Sequence, residues 1–182
     1  ALVLSDTDSK FYRRFLRGLA SEIRYLRYTM IDIADGVPRL QVQIALCYAA
    51  LCLANQGRHI KTTTRKLGDE LQRQILPDGG HISRNPGALI ELLLDLLPLR
   101  QTFSARNIPP PSTLLNAIDR MMPMLRFFRH GDGSFALFNG MLADLRERTT
   151  SLLLRVEIRA DTPPPEPEPV RVFDMRHPEP AM

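Results

Sequence analysis

Pro77-Asp78-Gly79-Gly80-His81-Ile82-Ser83-Arg84-Asn85-Pro86 gathers more chemically capable side chains than any other ten residues of the chain. A histidine, a serine, an arginine and an asparagine fall within five positions, a set suited to proton transfer or to holding an anionic group. The same stretch has the chemistry of a turn. Glycine tolerates positive φ, and an aspartate side chain can accept from the backbone just ahead of it. Pro86 suits the first position of a helix and Asn85 its N-cap. The expectation is a short loop, clamped at both ends, from which His81, Ser83 and Arg84 project. The plain alternative is a well-capped turn between helices. His130, in His130-Gly131-Asp132-Gly133, marks a second site of the same kind. Neither histidine has Cys or carboxylate neighbours at ligand spacing, so no metal is expected, and no cofactor.

Such a loop needs helices to position it, and the chain supplies them. Phe11, Phe15, Leu19, Ile23, Leu26 and Met30 recur at spacings of three and four, which predicts a helix over 9–33 with arginines mostly off the apolar stripe. Residues 39–55 are apolar on nearly every side, as are residues 87–104, which predicts two inner helices. Segments 60–76 and 113–129 are amphipathic, and Pro98 and Pro123 are expected to bend their helices. The Asp-Gly pair at 78–79 returns 54 residues later at 132–133, and Asp35-Gly36 precedes both. Outer and inner helices alternate between recurrent glycine turns, so the reading is all-α: antiparallel hairpins forming an incomplete (α/α) toroid.

Composition bounds the rest. A chain of 182 residues, 44% hydrophobic and 24% charged, can bury a core. No apolar run reaches the roughly 20 residues needed to span a bilayer. The first residues have neither Met nor the pattern of a secretory signal, so a fragment or a processed product is expected. Cys47 and Cys52 sit among Leu and Ala as buried thiols, which leaves the compartment open between cytoplasm and periplasm. Residues 1–141 carry 18 Lys or Arg against 12 Asp or Glu, whereas residues 142–182 carry 6 against 8. The basic body favours anionic partners. Nucleic acid is not expected, because no recognition motif accompanies the charge. Seven of the 15 prolines fall in the last 20 residues, so the domain is drawn at 1–141 and the divergent tail, 142–182, is expected to be largely disordered.

Ile75 to Pro86, followed by Glu91 to Leu96, resembles the heparinase II/III-like family, as does Ala117 to Gly133 ending in Leu137-Phe138-Asn139-Gly140. The similarity covers roughly residues 9 to 141 and is nearest the uncharacterised bacterial branch. It implies the toroid part of a polysaccharide lyase, acting by β-elimination on uronate-containing acidic polysaccharides, with a β-sandwich domain downstream. In that chemistry the uronate carboxylate is masked, a base removes the C5 proton and an acid protonates the leaving oxygen. The resemblance puts His81 in a catalytic role and Arg84, Asn85 and His130 at the substrate. Two departures stand against activity. Gly87-Ala88-Leu89 occupies the place where the lyases carry a masking Asn, an aromatic residue and a His. All four tyrosines (12, 25, 28 and 48) precede the loops, and no β-sandwich follows. The isolated chain is therefore expected to be inactive. The competing reading is a non-catalytic helical module that binds acidic polymers or a partner protein.

Overall fold

The structure, a computed structural model, describes residues 9–53, 57–132 and 134–140. Those residues form five α-helices and no strand: α1 (Ser9–Thr29), α2 (Val37–Cys52), α3 (Ile60–Gln74), α4 (Pro86–Ala105) and α5 (Ser112–Phe127). The all-α reading holds. The expected tail and the β-like segment at 149–158 lie outside the described residues, as does the expected glycine stop at 55–57 in its first two positions.

The helix ends differ from expectation by a few residues, each for a local reason. α1 stops at Thr29 because the Asp32 amide folds back on the Thr29 carbonyl at 2.9 Å. α2 begins at Val37 rather than 39, with Pro38 in its first turn, where a missing N–H costs nothing. α3 ends at Gln74 because Ile75 turns extended and bridges His81. Both α4 and α5 continue past their internal prolines, Pro98 and Pro123.

α2 packs on α3 and α4, α5 packs on α3 and α4, and α1 lies against α2. The two helices expected to be inner are the most apolar, and Leu40, Ile44, Cys47 and Leu51 of α2 meet Leu89, Leu92, Leu93 and Leu96 of α4 in one core. That core also takes Leu67 and Leu71 of α3 and Leu114, Ile118, Met121 and Leu125 of α5. Burying a Leu or Ile side chain of this kind is worth about 2 kcal/mol, so the four helices form one cooperative body. Tyr48 donates from α2 to the Asp95 carbonyl of α4 at 3.1 Å. Its phenol is pushed far up by burial, then by Asp95. It stays protonated and structural.

α1 departs from its expected stripe. Leu16 and Ile23 are buried, and Ile23 packs on Leu46, Ala49 and Leu53 of α2. Phe11 and Phe15, however, stack on each other with ring centroids 6.5 Å apart and stay about two-fifths exposed. The cluster that α1 forms with α2 takes in Leu19, Ile23 and Leu26, and Phe11 and Phe15 lie outside it.

Candidate functional site

The loop from Ile75 to Asn85 (loop one) begins where α3 ends. Ile75 and His81 form an isolated antiparallel bridge, closed by Ile82 N–H to the Gln74 carbonyl (2.9 Å) and Leu76 N–H to the Gly80 carbonyl (2.8 Å). At its tip, Gly79 adopts φ 86° and lies so close to α5 that a Cβ there would stand 1.9 Å from the Arg120 carbonyl oxygen. Asp78 accepts the Gly80 N–H at 2.9 Å, as the turn chemistry requires. Asn85 caps α4 by accepting from the Gly87 amide at 2.8 Å, with Pro86 following it.

The loop does not project its reactive groups. His81 is 1% exposed, and both ring nitrogens are engaged. Gln74 gives its amide N–H to the buried Glu70 carboxylate, so its carbonyl oxygen accepts from His81 Nε2–H at 2.8 Å. Nδ1 accepts the Ser83 amide at 3.1 Å and meets the Ser83 hydroxyl at 2.8 Å. This network holds the ring as the neutral Nε2–H tautomer, and burial lowers its pKa from the ordinary histidine value. No lone pair is left for a base. The expectation of an exposed His81 fails because its partner, Gln74, sits on the end of α3 and draws the ring inward.

Arg84 is spent as well. Its guanidinium lies 2.5 Å from Asp78 Oδ2, and that contact, with the Gly80 N–H, holds the Asp78 carboxyl below the usual range. Arg84 also takes φ 54°, an uncommon conformation for a side chain of this size. His130 is exposed on the following loop, with its backbone N–H on the Ser134 carbonyl at 2.8 Å. His81 and the flanks of α2 and α4 border an open cleft of about 550 Å³, which also includes Asp35, Ser83, Asn85 and Glu91. Its carboxylates make it a poor seat for a polyanion.

Residues 127 to 140 (loop two) repeat loop one. Arg129 bridges Phe135 as Ile75 bridges His81, each partner 54 residues on. Ala136 N–H bonds the Phe128 carbonyl (3.0 Å) as Ile82 bonds Gln74, and His130 N–H bonds Ser134 as Leu76 bonds Gly80. Asp132 accepts the Ser134 N–H at 2.8 Å in the part played by Asp78. In this register His130 stands where Leu76 does, and the partner position of His81 is the buried Phe135. The two histidines are not a pair. After Ala136 the loops diverge, and Asn139 reaches across to donate to the Arg84 carbonyl at 3.1 Å.

Sequence reasoning missed Glu70 and Gln74. Glu70 is 7% exposed on α3, with Arg73 at 2.5 Å and Arg39 at 3.6 Å, and Asp35 joins both arginines. A carboxylate one turn before a buried-facing Gln was the available signal. Among the described residues no cluster of three or more His, Cys, Asp or Glu could hold a metal ion, and no helix is long and apolar enough to cross a membrane.

Comparison with known proteins corrects the family expectation. No family model matches the chain, that of the heparinase II/III-like proteins included. The chain is 43% identical over 81 residues to FtsZ-localized protein C of Caulobacter vibrioides. The match covers 44% of this chain and only 14% of that protein, so the chain spans about one seventh of its relative. No solved structure matches. The lyase reading, with its uronate-containing polysaccharide substrate, is therefore set aside. The residues that suggested it, Asp78, Gly79, His81 and Asn85, build the turn and cap the helix after it, and the turn's backbone bridge recurs in loop two.

Proposed function

We propose that this chain is a non-catalytic helical module that binds a protein partner within an FtsZ-associated assembly. One observation carries the reading: every polar group that could act at the central loop is consumed in holding that loop. His81 is buried and neutral, Arg84 is paired to Asp78, and Asn85 caps α4. A general base needs a free lone pair within reach of a substrate, and none is offered here. The relative's name supplies the assembly.

His81, Arg84 and Asn85 are then architectural, and His130 is a surface residue of loop two. The recurrence of the turn after 54 residues supports a further step: the helix pairs α2–α3 and α4–α5 are successive hairpins of an array, one arc of a larger helical toroid, within a unit ending near residue 141. Loop tips that dock on the neighbouring pair, as Gly79 does on α5, would hold that array in register.

The test is direct. Purified FtsZ immobilised on a sensor should capture the chain, and a fluorescent fusion of the chain should co-localise with FtsZ in cells. Absence of both signals would remove the reading.

A further inference from the structure

The two loops share a backbone bridge but not a degree of burial. In loop one, Gln74, Ile75 and Gly80 are buried and Leu76 is half-buried, and Gly79 seats its backbone against the Arg120 carbonyl of α5. At the matching positions of loop two, Phe128 and Ser134 are half-buried, and Arg129 and His130 are exposed. A helix lies against the first turn, whereas the second stands at an open edge.

That edge exposes apolar groups where loop one exposes polar ones. Arg73, in the last turn of α3, gives way to Phe127 in the last turn of α5, 79% exposed. Loop one runs out through exposed Ser83 and Arg84, loop two through Leu137 and Phe138, 61% and 39% exposed. Loop one shows that such a turn closes with polar side chains outside, so the turn itself does not require the apolar ones. The rings are also contiguous. Phe128 packs on the core and meets Phe127 and Phe138 edge to face, at 5.7 and 5.3 Å between centroids.

Two arginines stand beside these rings. Arg126 and Arg129 are three apart in the final turn, where the Arg129 N–H reaches the Arg126 carbonyl at 3.2 Å. Both are exposed, and among the described residues neither guanidinium pairs with a carboxylate, unlike those of Arg39, Arg65, Arg73 and Arg84. The acidic residue of loop two, Asp132, accepts from the Ser134 amide at 2.8 Å and from its hydroxyl at 2.6 Å. An aromatic face with a positive flank results.

We infer that this edge docks an acidic amphipathic helix of the partner protein, its apolar side on Phe127 and Phe138 and its carboxylates on Arg126 and Arg129. The inference rests on the protein-binding reading above and names the surface and the partner's chemistry. The occupant's shape follows from the repeat, since it is a helix, α5, that lies against loop one at Gly79. The sign of its charge follows from the two arginines. Exposed aromatic rings beside arginine are the side chains that carry most binding energy at protein interfaces.

The probe is a fluorescein-labelled peptide of about 15 residues, with Glu and Leu at helical spacings of three and four on adjoining faces, against a scrambled peptide of identical composition. Anisotropy with the full chain should show binding of the first and clearly weaker binding of the second. Phe127→Ser removes one exposed ring without touching the charge and should weaken binding about tenfold. Arg126→Glu with Arg129→Glu should weaken it about tenfold or more, while Arg14→Glu with Arg24→Glu, the same charge change on exposed positions of α1, should weaken it about twofold. All five positions are exposed, so the thermal melts should match wild type. Unchanged affinity in Phe127→Ser, equal affinity for the scrambled peptide, or equal losses in the two double variants would overturn the inference in favour of diffuse charge. A dimer in sedimentation equilibrium that Phe127→Ser dissolves would overturn it in favour of a second copy. Flotation with phosphatidylserine vesicles that is lost in Phe127→Ser would overturn it in favour of lipid. The two readings fail separately. FtsZ capture that survives the variants at 126, 127 and 129 sinks the surface and keeps the function, whereas peptide binding without FtsZ capture does the reverse.

Discussion

Loop one and loop two share a backbone and differ in what they bury. Where loop one turns the His81 ring inward onto Gln74, loop two turns Phe135 inward beside Phe128. Just ahead of loop one, Arg73 of α3 is half exposed and paired with Glu70, whereas its counterpart in loop two, Phe127, is 79% exposed. The ladder bonds and the aspartate turn are the same in both. The fold therefore asks for a turn at this place, and either a polar or an aromatic plug satisfies it. The histidine is one solution to a packing problem, and its chemistry is incidental.

The sharpest way to break the comparison is at the tip of loop one. Gly79 combines φ 86° with a backbone oxygen of α5 where a Cβ would go. Gly79→Ala should cost about 3 kcal/mol or more, since neither strain nor clash can be relieved without moving the loop off α5. Gly131→Ala, in loop two, meets open space and should be close to neutral. Urea unfolding of both variants measures the contrast. Similar losses would mean that loop docking does not hold the helix pairs together.

Next comes the plug itself. His81→Phe copies loop two but leaves the Gln74 carbonyl oxygen buried without its donor, a loss of about 2 kcal/mol. Gln74→Leu removes the orphan. The double variant should therefore cost less than the sum of the single ones, with a coupling of about 1 kcal/mol in a double-mutant cycle. Strict additivity would mean the bond between the two side chains contributes nothing.

Much of this was legible in the sequence. The 3.6-residue periodicity located all five helices, and all-round apolarity singled out α2 and α4 as inner. The 54-residue return of Asp-Gly foretold a repeated turn that the hydrogen bonds then matched pair by pair. Asn85 as N-cap and Pro86 behind it were read correctly because capping is a local matter. The fate of His81 was not legible. Its partner lies seven residues back, on another element, and the two meet only once Ile75 pairs with His81. The lyase resemblance failed for a related reason: Asp-Gly, His and Asn-Pro in that order build a capped, plugged turn here, and such a turn carries no chemistry of its own. Phe11 and Phe15 misled in the opposite sense, since periodicity tells which side of a helix is apolar but not how far along it the packing runs.

The plug also sets a pH dependence. Burial holds the His81 pKa below its ordinary value of 6.5, so the unfolded chain takes up that proton more readily than the folded one. Stability from this group is complete above about pH 6.5 and is lost as pH falls below it, by at most about 1.4 kcal/mol per pH unit. His59 shifts in the same direction, through burial and then Arg27, and is present in both proteins compared. Denaturation of wild type and His81→Phe at pH 7.5 and pH 5 should show a smaller acid loss in the variant. Parallel losses would place the titration elsewhere.

The smallest effect lies at Arg84, where the loops diverge. Its side chain is half exposed and its ion pair with Asp78 is open to water, so removing the pair should change stability little. The backbone is another matter, because φ 54° disfavours any residue with a Cβ. Arg84→Ala and Arg84→Gly lose the same pair and differ only in the ease of that conformation. The glycine variant should therefore be the more stable of the two by about 1 kcal/mol, close to wild type or above it. Melting the three proteins side by side isolates the backbone contribution. Should Ala and Gly prove equal, the loop relaxes at Arg84 once its side chain is gone, and the left-handed conformation is held by the Asp78 contact rather than by the Asn139 bond to its carbonyl.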